Sequence, residues 1–415
     1  MSKFSSLKIL FYPHLHYKAQ FFLRYVWPAK QLMKHGYDVK VKDPRTVGEY
    51  YTEEKMMEDF AWADIIVAFY PKTRTGPRIA EVCDMLEKKY IVDIDDYTLG
   101  AVHPTNPAYG FSGTRDVYAK DGTPIWKSGV QYDPRLSAAN HQRWMDTMKL
   151  AHAVTVTTPM LSDLYAPFAT DLWVLPNSLD LSCYKPWKRR APEDDIRIGW
   201  QGGASHHQDI RIIVEPMKKL MNTYPKIKLI LMGQGDPTLI EEFGELSNRI
   251  EYHPWVDSDT YPLKLGSLDL DIGLCPVEDT IFSKGKSNLK QIEYGAFNVP
   301  SVCSAIEYGP YNYPEGISLD GVDTFLVDNN DPQEWHDKLE TLVLDPSLRR
   351  EMGHQMYLKV QNVYNIEETW VEWRKCYETI GSSLLGIGES ERGLLGESGN
   401  LPDWEHPSNS RVTQL

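Results

Sequence analysis

Three groups of residues combine types and spacings that suit chemistry. The first is the run FSKGKSNLKQIE from Phe282 to Glu293, continuing to Pro300. Ser287 is a favourable helix N-cap, and Leu289, Ile292 and Ala296 recur at helical spacing. A helix starting there offers the backbone N–H groups of Ser287, Asn288 and Leu289 and the positive end of its dipole. Lys284, Lys286 and Lys290 lie close by, and the combination suits a phosphate or diphosphate. Glu293 follows two turns into the helix, placed to accept hydrogen bonds from a ribose diol. The same spacing also describes an amphipathic surface helix with solvated lysines, and the pattern alone leaves both open.

The second group is the turn GWQGGASHHQD, from Gly199 to Asp209, between an apolar run and a helical one. Gly202 and Gly203 let a ligand approach the backbone, with Ser205 or His206 near the helix start. The turn is neither GxGxxG nor a Walker A loop, and a Gly-rich turn is as often structural. His206 and His207 point apart on a helix and have no obvious third ligand, which speaks against a metal. The third group is Asp93, Asp95 and Asp96 at the end of an apolar run. Carboxylates there suit a Mg²⁺ ion, a general base or a turn cap. A phosphatase-type DxDx[TV] reading fails because Tyr97 occupies its fifth position.

The elements that must position these groups alternate between short apolar runs and helical stretches. Leu7 to Tyr12, Asp38 to Val41, Ala63 to Phe69, Tyr90 to Ile94, Ala153 to Thr157 and Leu172 to Leu175 read as strands of a first half. The run LSCYKPWKRRAPEDD then reads as a linker. A second series follows at Ile196–Trp200, Ile227–Met232, Ile250–Tyr252, Asp271–Leu274 and Pro300–Cys303. The expected fold is α/β, two doubly wound Rossmann-like halves with ligands in the cleft beyond the strand ends. The expected boundaries are 1–180 and 181–362, then a helix at 363–380 with Trp370, Trp373 and Tyr377 on one face, and a Gly- and Ser-rich tail at 381–415 expected to be mostly disordered. Residues 101–140 form an insertion with a hairpin expected around Asp121-Gly122.

At 415 residues with 42% hydrophobic and 25% charged residues, the chain is globular and long enough for about two domains. It has no apolar run of membrane-spanning length and no secretory signal pattern. Five scattered cysteines outside CxxC pairs argue against a disulfide framework or zinc ribbon and fit a reducing cytoplasm. The net charge of −14 disfavours nucleic acid and anionic membrane as general partners.

The segments AHAVTVTTPMLSDLY and VLPNSLDLSCYKP resemble the strand, helix and hinge of nucleotide-sugar glycosyltransferases with the GT-B fold, of the retaining family 4 type. DIGLCPVEDTIFSKGKSNLKQIEYGAFNVPSVCS resembles their donor-binding signature, with Glu293 matching the second Glu of Glu-x7-Glu. YIVDIDD and NPAY are similar to a branch found in surface-polysaccharide and bacteriophage-encoded enzymes. The resemblance spans the chain to about residue 380. It implies a hexosyltransferase-like enzyme that moves a sugar from a nucleoside diphosphate, UDP favoured, to an acceptor hydroxyl, with no metal or cofactor required.

The donor side implied is Gly202, Gly203, Ser205, His206, Gly233, Lys286, Ser287, Asn288, Leu289, Lys290 and Glu293. The base is expected against the Met232–Gly235 turn and His253–Val256. His206 is expected to help stabilise the departing diphosphate. Asp93, Asp95 and Asp96 are expected to position the acceptor, with His103, Tyr109, Trp126 and Arg135 of the insertion beside them. Gly285 departs from the pattern, standing where the first Glu belongs, and Lys286 and Lys290 are the available replacements for cations missing after Gly199. Two alternatives keep the fold. One is a phage-type enzyme acting on hydroxymethylated pyrimidines in DNA, using Lys120, Lys127, Arg135 and Arg143. The other is a degenerate module with a binding or assembly role.

Overall fold

The computed structural model describes residues 7–13, 19–43, 53–69, 71, 75–99, 102–106, 109–129, 132–185, 195–233, 237–313 and 318–385. Most of the linker and residues 386–415 of the tail lie outside them.

Apolar runs such as IIVAF and AVTV have no polar face to show to water, so they form strands covered on both sides. In chain order they are β1 (Lys8–Pro13), β2 (Asp38–Val41), β3 (Ile65–Phe69), β4 (Lys89–Ile94), the hairpin β5 (Val117–Tyr118) and β6 (Pro124–Trp126), β7 (Ala153–Val156) and β8 (Leu172–Val174). All but the hairpin make one parallel sheet, ordered β2-β1-β3-β4-β7-β8. The second sheet contains β9 (Ile196–Gly202), β10 (Ile227–Gly233), β11 (Ile250–Pro254), β12 (Ile272–Cys275), β13 (Ser301–Ala305) and β14 (Phe325–Asp328). It is also parallel, ordered β11-β10-β9-β12-β13-β14. The strand order reverses between β9 and β12, and a crevice opens there beyond the carboxyl ends of the strands.

Two features join the halves. The Ile366–Gly381 helix lays Trp370, Trp373, Cys376 and Tyr377 into the first sheet's core, where Gly381 packs against Leu7 and Ile65. Leu179 and Tyr364–Ile366 exchange backbone hydrogen bonds of 2.7 and 3.0 Å, so the two crossings between lobes run side by side. Beneath them sits Arg24, wholly buried in a π-helical stretch, Phe22–Val26. Its guanidinium pairs with Asp93 at 2.6 and 3.0 Å, donates to Leu175 O and Asn177 Oδ1, and lies 4.6 Å from the Trp373 ring centroid.

Candidate functional site

At the β9–β12 crevice, β9 turns at Gly202 through Ala204–His206 into the His207–Arg211 helix. Gly202 and the end of β10 meet backbone to backbone. A Cβ on Gly233, whose φ is +120°, would lie 2.1 Å from Gly202 O, so only glycine fits there. Among the described residues Gly203 is open, with Trp255 3.8 Å from a Cβ position. β12 leads through Val277-Glu278 to the short Ile281–Lys284 turn and then to the Leu289–Gly295 helix.

His206 is the hub of the crevice. Its Nδ1 lies 2.6 Å from Asp209 Oδ2, Lys286 Nζ is 3.1 Å from the same nitrogen, and Lys290 Nζ is 3.2 Å from Nε2. These partners assign a neutral ring with its hydrogen on Nδ1, donating to Asp209 and accepting from Lys290. Burial, then the two ammonium groups, push the His206 pKa down to about 3. Burial, then Lys286, brings Lys290 down to about 8. Burial opposes ionisation of Asp209, yet His206 and Lys286 hold it well below the usual carboxylate range. At pH 7 the cluster therefore holds one more positive charge than Asp209 neutralises. The reading as a surface helix with solvated lysines is corrected, since Lys290 is 9% exposed and the Lys286 side chain 12%.

The helix cap differs from expectation as well. Asn288, not Ser287, occupies the N-cap position, without a side-chain cap bond; its Nδ2 donates to Tyr364 OH at 3.0 Å. Ser287 Oγ instead accepts from Asn177 Nδ2 across the lobes at 3.0 Å. Among the described residues the backbone N–H groups of Ser287 and Asn288 make no hydrogen bond. Leu289 packs against the core shared by both lobes. Glu293 is 4% exposed and accepts from Tyr261 at 2.8 Å, Gln201 at 3.0 Å and Tyr184 at 3.3 Å. Burial raises its pKa to about 7 against these donors. These bonds tie its carboxylate to β9, the linker start and the Tyr261–Ser267 helix.

The opposing lobe closes over this crevice. Asn106 Nδ2 donates to Ser205 O at 2.7 Å, and Thr158 Oγ1 donates to Gly285 O at 3.4 Å. A Cβ on Gly285 would stand 3.0 Å from Leu161 Cδ2 and 3.3 Å from Tyr97 Cβ. Asp95 and Asp96 sit half-buried just past the end of β4. Burial, then Asp96 and Asp93, raises the Asp95 pKa well above its ordinary value. Asp93 is corrected: fully buried, it serves Arg24 and accepts from Thr155 Oγ1 at 2.5 Å, out of reach of an acceptor. Tyr109 and Trp126 are corrected as well. With Tyr132 they form the insertion's own small core, centroids 5.8 to 6.3 Å apart, anchored to Arg115 O and Pro104 O. His103 and Arg135 are exposed, His103 bonding to Thr105 and Arg135 standing on the outer helix Pro134–Leu150.

Asp209, Gln201, Tyr184, Tyr261, Asn177 and Glu278 were not singled out from the sequence. Only Asp209 had a signal there, three residues after His206, where helical spacing brings side chains together.

Residues 195–345 match the family described as Glycosyl transferases group 1. No curated protein matches this chain by sequence. Among solved structures, sucrose-phosphate synthase from Thermosynechococcus elongatus is similar over 91% of this chain and 100% of its own, at 16% identity and a TM-score of 0.60. Anabaena HepE, solved with UDP and glucose, is similar over 90% of this chain and 99% of its own, at 12% identity and a TM-score of 0.59. A glycosyltransferase from Rickettsia africae is similar over 90% and 98%, at 15% identity and a TM-score of 0.54. The fold is therefore GT-B. The matched segment runs from the start of β9 past the Pro332–Leu344 helix, the second lobe of that fold.

Proposed function

We propose that the protein moves a sugar from a nucleoside diphosphate, UDP in the first instance, to an acceptor hydroxyl with retention at the anomeric carbon. The observation that carries this reading is the pair of buried ammonium groups, Lys286 and Lys290, sharing one imidazole and one carboxylate. Like charges buried together are unfavourable until an anion joins them, and a diphosphate supplies it. The similarity to HepE, solved with UDP, supports the choice of nucleotide. The base lies toward β10 and β11, where Gly233 and the exposed ring of Trp255 offer a close backbone and a stacking face. The Gly235 end of the expected base turn lies outside the described residues.

In the reaction the bond from the anomeric carbon to the diphosphate oxygen breaks, and both electrons leave with the phosphate. Lys286, Lys290 and the free N–H groups of Ser287 and Asn288 stabilise the charge that develops there. The acceptor oxygen bonds the anomeric carbon on the same face, and its proton passes to the departing phosphate. Asp95, Asp96 and His103 line the acceptor's approach from the first lobe. The five free cysteines fit a reducing cytoplasm. Isothermal titration of UDP against the wild type and Lys286→Ala tests the reading. A loss of at least tenfold supports it, and an unchanged affinity refutes it.

A further inference from the structure

The backbone of Val277-Glu278 is pinned to an unusual degree for a loop. Val277 N–H donates to Ser304 Oγ at 2.9 Å, Val277 O accepts from Asn330 Nδ2 at 2.9 Å, and Glu278 N–H donates to Asp209 Oδ1 at 2.9 Å. Glu278 O in turn accepts from Thr280 N–H at 2.9 Å. The side chain is treated in the opposite way. Half-buried at the crevice, the Glu278 carboxylate makes no hydrogen bond or ion pair among the described residues. A carboxylate held in place at its backbone, partly stripped of water and given no protein donor is arranged to receive donors from a ligand.

Its surroundings say which part of the ligand. One oxygen of Asp209 holds the Glu278 N–H and the other holds His206, so Glu278 is one residue removed from the diphosphate cradle. It stands on the β12 side of that cradle, away from the β10 and β11 side assigned to the base. The opposite wall is the 102–106 segment, tied down by the Asn106–Ser205 contact and carrying His103. Burial and then Asp209 raise the Glu278 pKa, while His103 and Lys286 draw it back down, which puts both within electrostatic reach. On the outer side of a diphosphate, away from the base, lies the hexose, a ring rich in hydroxyl donors.

We propose that Glu278 grips the hydroxyls of the sugar being transferred. The inference rests on the donor-site reading above, so the test separates the two. Wild type, Glu278→Gln and Glu278→Ala are titrated calorimetrically with UDP, UDP-glucose, UDP-galactose and UDP-N-acetylglucosamine. For whichever UDP-sugar binds wild type best, Glu278→Ala is expected to lose about tenfold or more and Glu278→Gln less. UDP itself should bind both variants within twofold of wild type or slightly tighter, because a negative charge beside Lys286 is gone. An equal loss for UDP and UDP-sugar would overturn the proposal, showing Glu278 to be structural. Wild type that binds UDP but no UDP-sugar differently from UDP would also overturn it. Wild type that binds none of the four would bring down the UDP-site reading itself.

Discussion

Two ammonium groups within 3.5 Å of one imidazole cost the ligand-free protein stability, and Lys290 bears most of that cost. Replacing it with methionine keeps the packing and removes the charge. Lys290→Met is therefore expected to stabilise the ligand-free protein by on the order of 2 kcal/mol in denaturant melts, while weakening UDP at least tenfold. The pH dependence has a definite sign. Lys290 releases its proton near pH 8 when folded and at its ordinary higher value when unfolded, so the unfolded chain binds more protons above pH 8. Ligand-free stability should rise from pH 8 toward 10.5 while UDP affinity falls over the same interval; denaturant melts and titrations at pH 7, 8, 9 and 10 check both. The sequence named Lys286, Lys290 and His206 because each sits where an apolar run gives way to a helix. It did not show that their side chains converge, since 80 residues and a change of strand order separate His206 from Lys286. Asp93 was misplaced for a related reason. A carboxylate at a strand end reads as functional until its partner is known, and Arg24 lies 69 residues away.

At the scale of elements, Arg24 joins β4, the end of β8 and the returning helix through one guanidinium. Arg24→Ala would leave Asp93 as an unpaired buried charge, and is expected to cost about 3–5 kcal/mol in denaturant melts. A loss below 1 kcal/mol would show that the pair contributes little to the joint. The short central strands were legible because they are apolar, brief and closed by turn residues. β14 was not, being four residues on the sheet edge with three of them partly or fully exposed. The insertion's aromatics were read as ligand-facing because sequence gives abundance without direction. In the structure Trp126, Tyr109 and Tyr132 cover one another, as a segment with no sheet of its own requires.

The whole molecule is two parallel sheets whose strand ends meet at a seam, held by two adjacent crossings and by the Asn177–Ser287 bond. The seam is tight at Gly285, where a side chain would press on Leu161 and Tyr97. Gly285→Glu is expected to wedge the lobes apart, enlarging the radius of gyration in small-angle scattering. Turnover should fall at least tenfold with UDP affinity within about threefold, because the cradle belongs to one lobe and the reaction needs both. The most direct measurement is UDP titrated into wild type and the Lys286→Ala/Lys290→Ala double variant at pH 7. A single site is expected in wild type and a loss of about a hundredfold or more in the variant, with the fold intact by circular dichroism. Equal affinity for the two proteins would contradict a diphosphate cradle at these lysines.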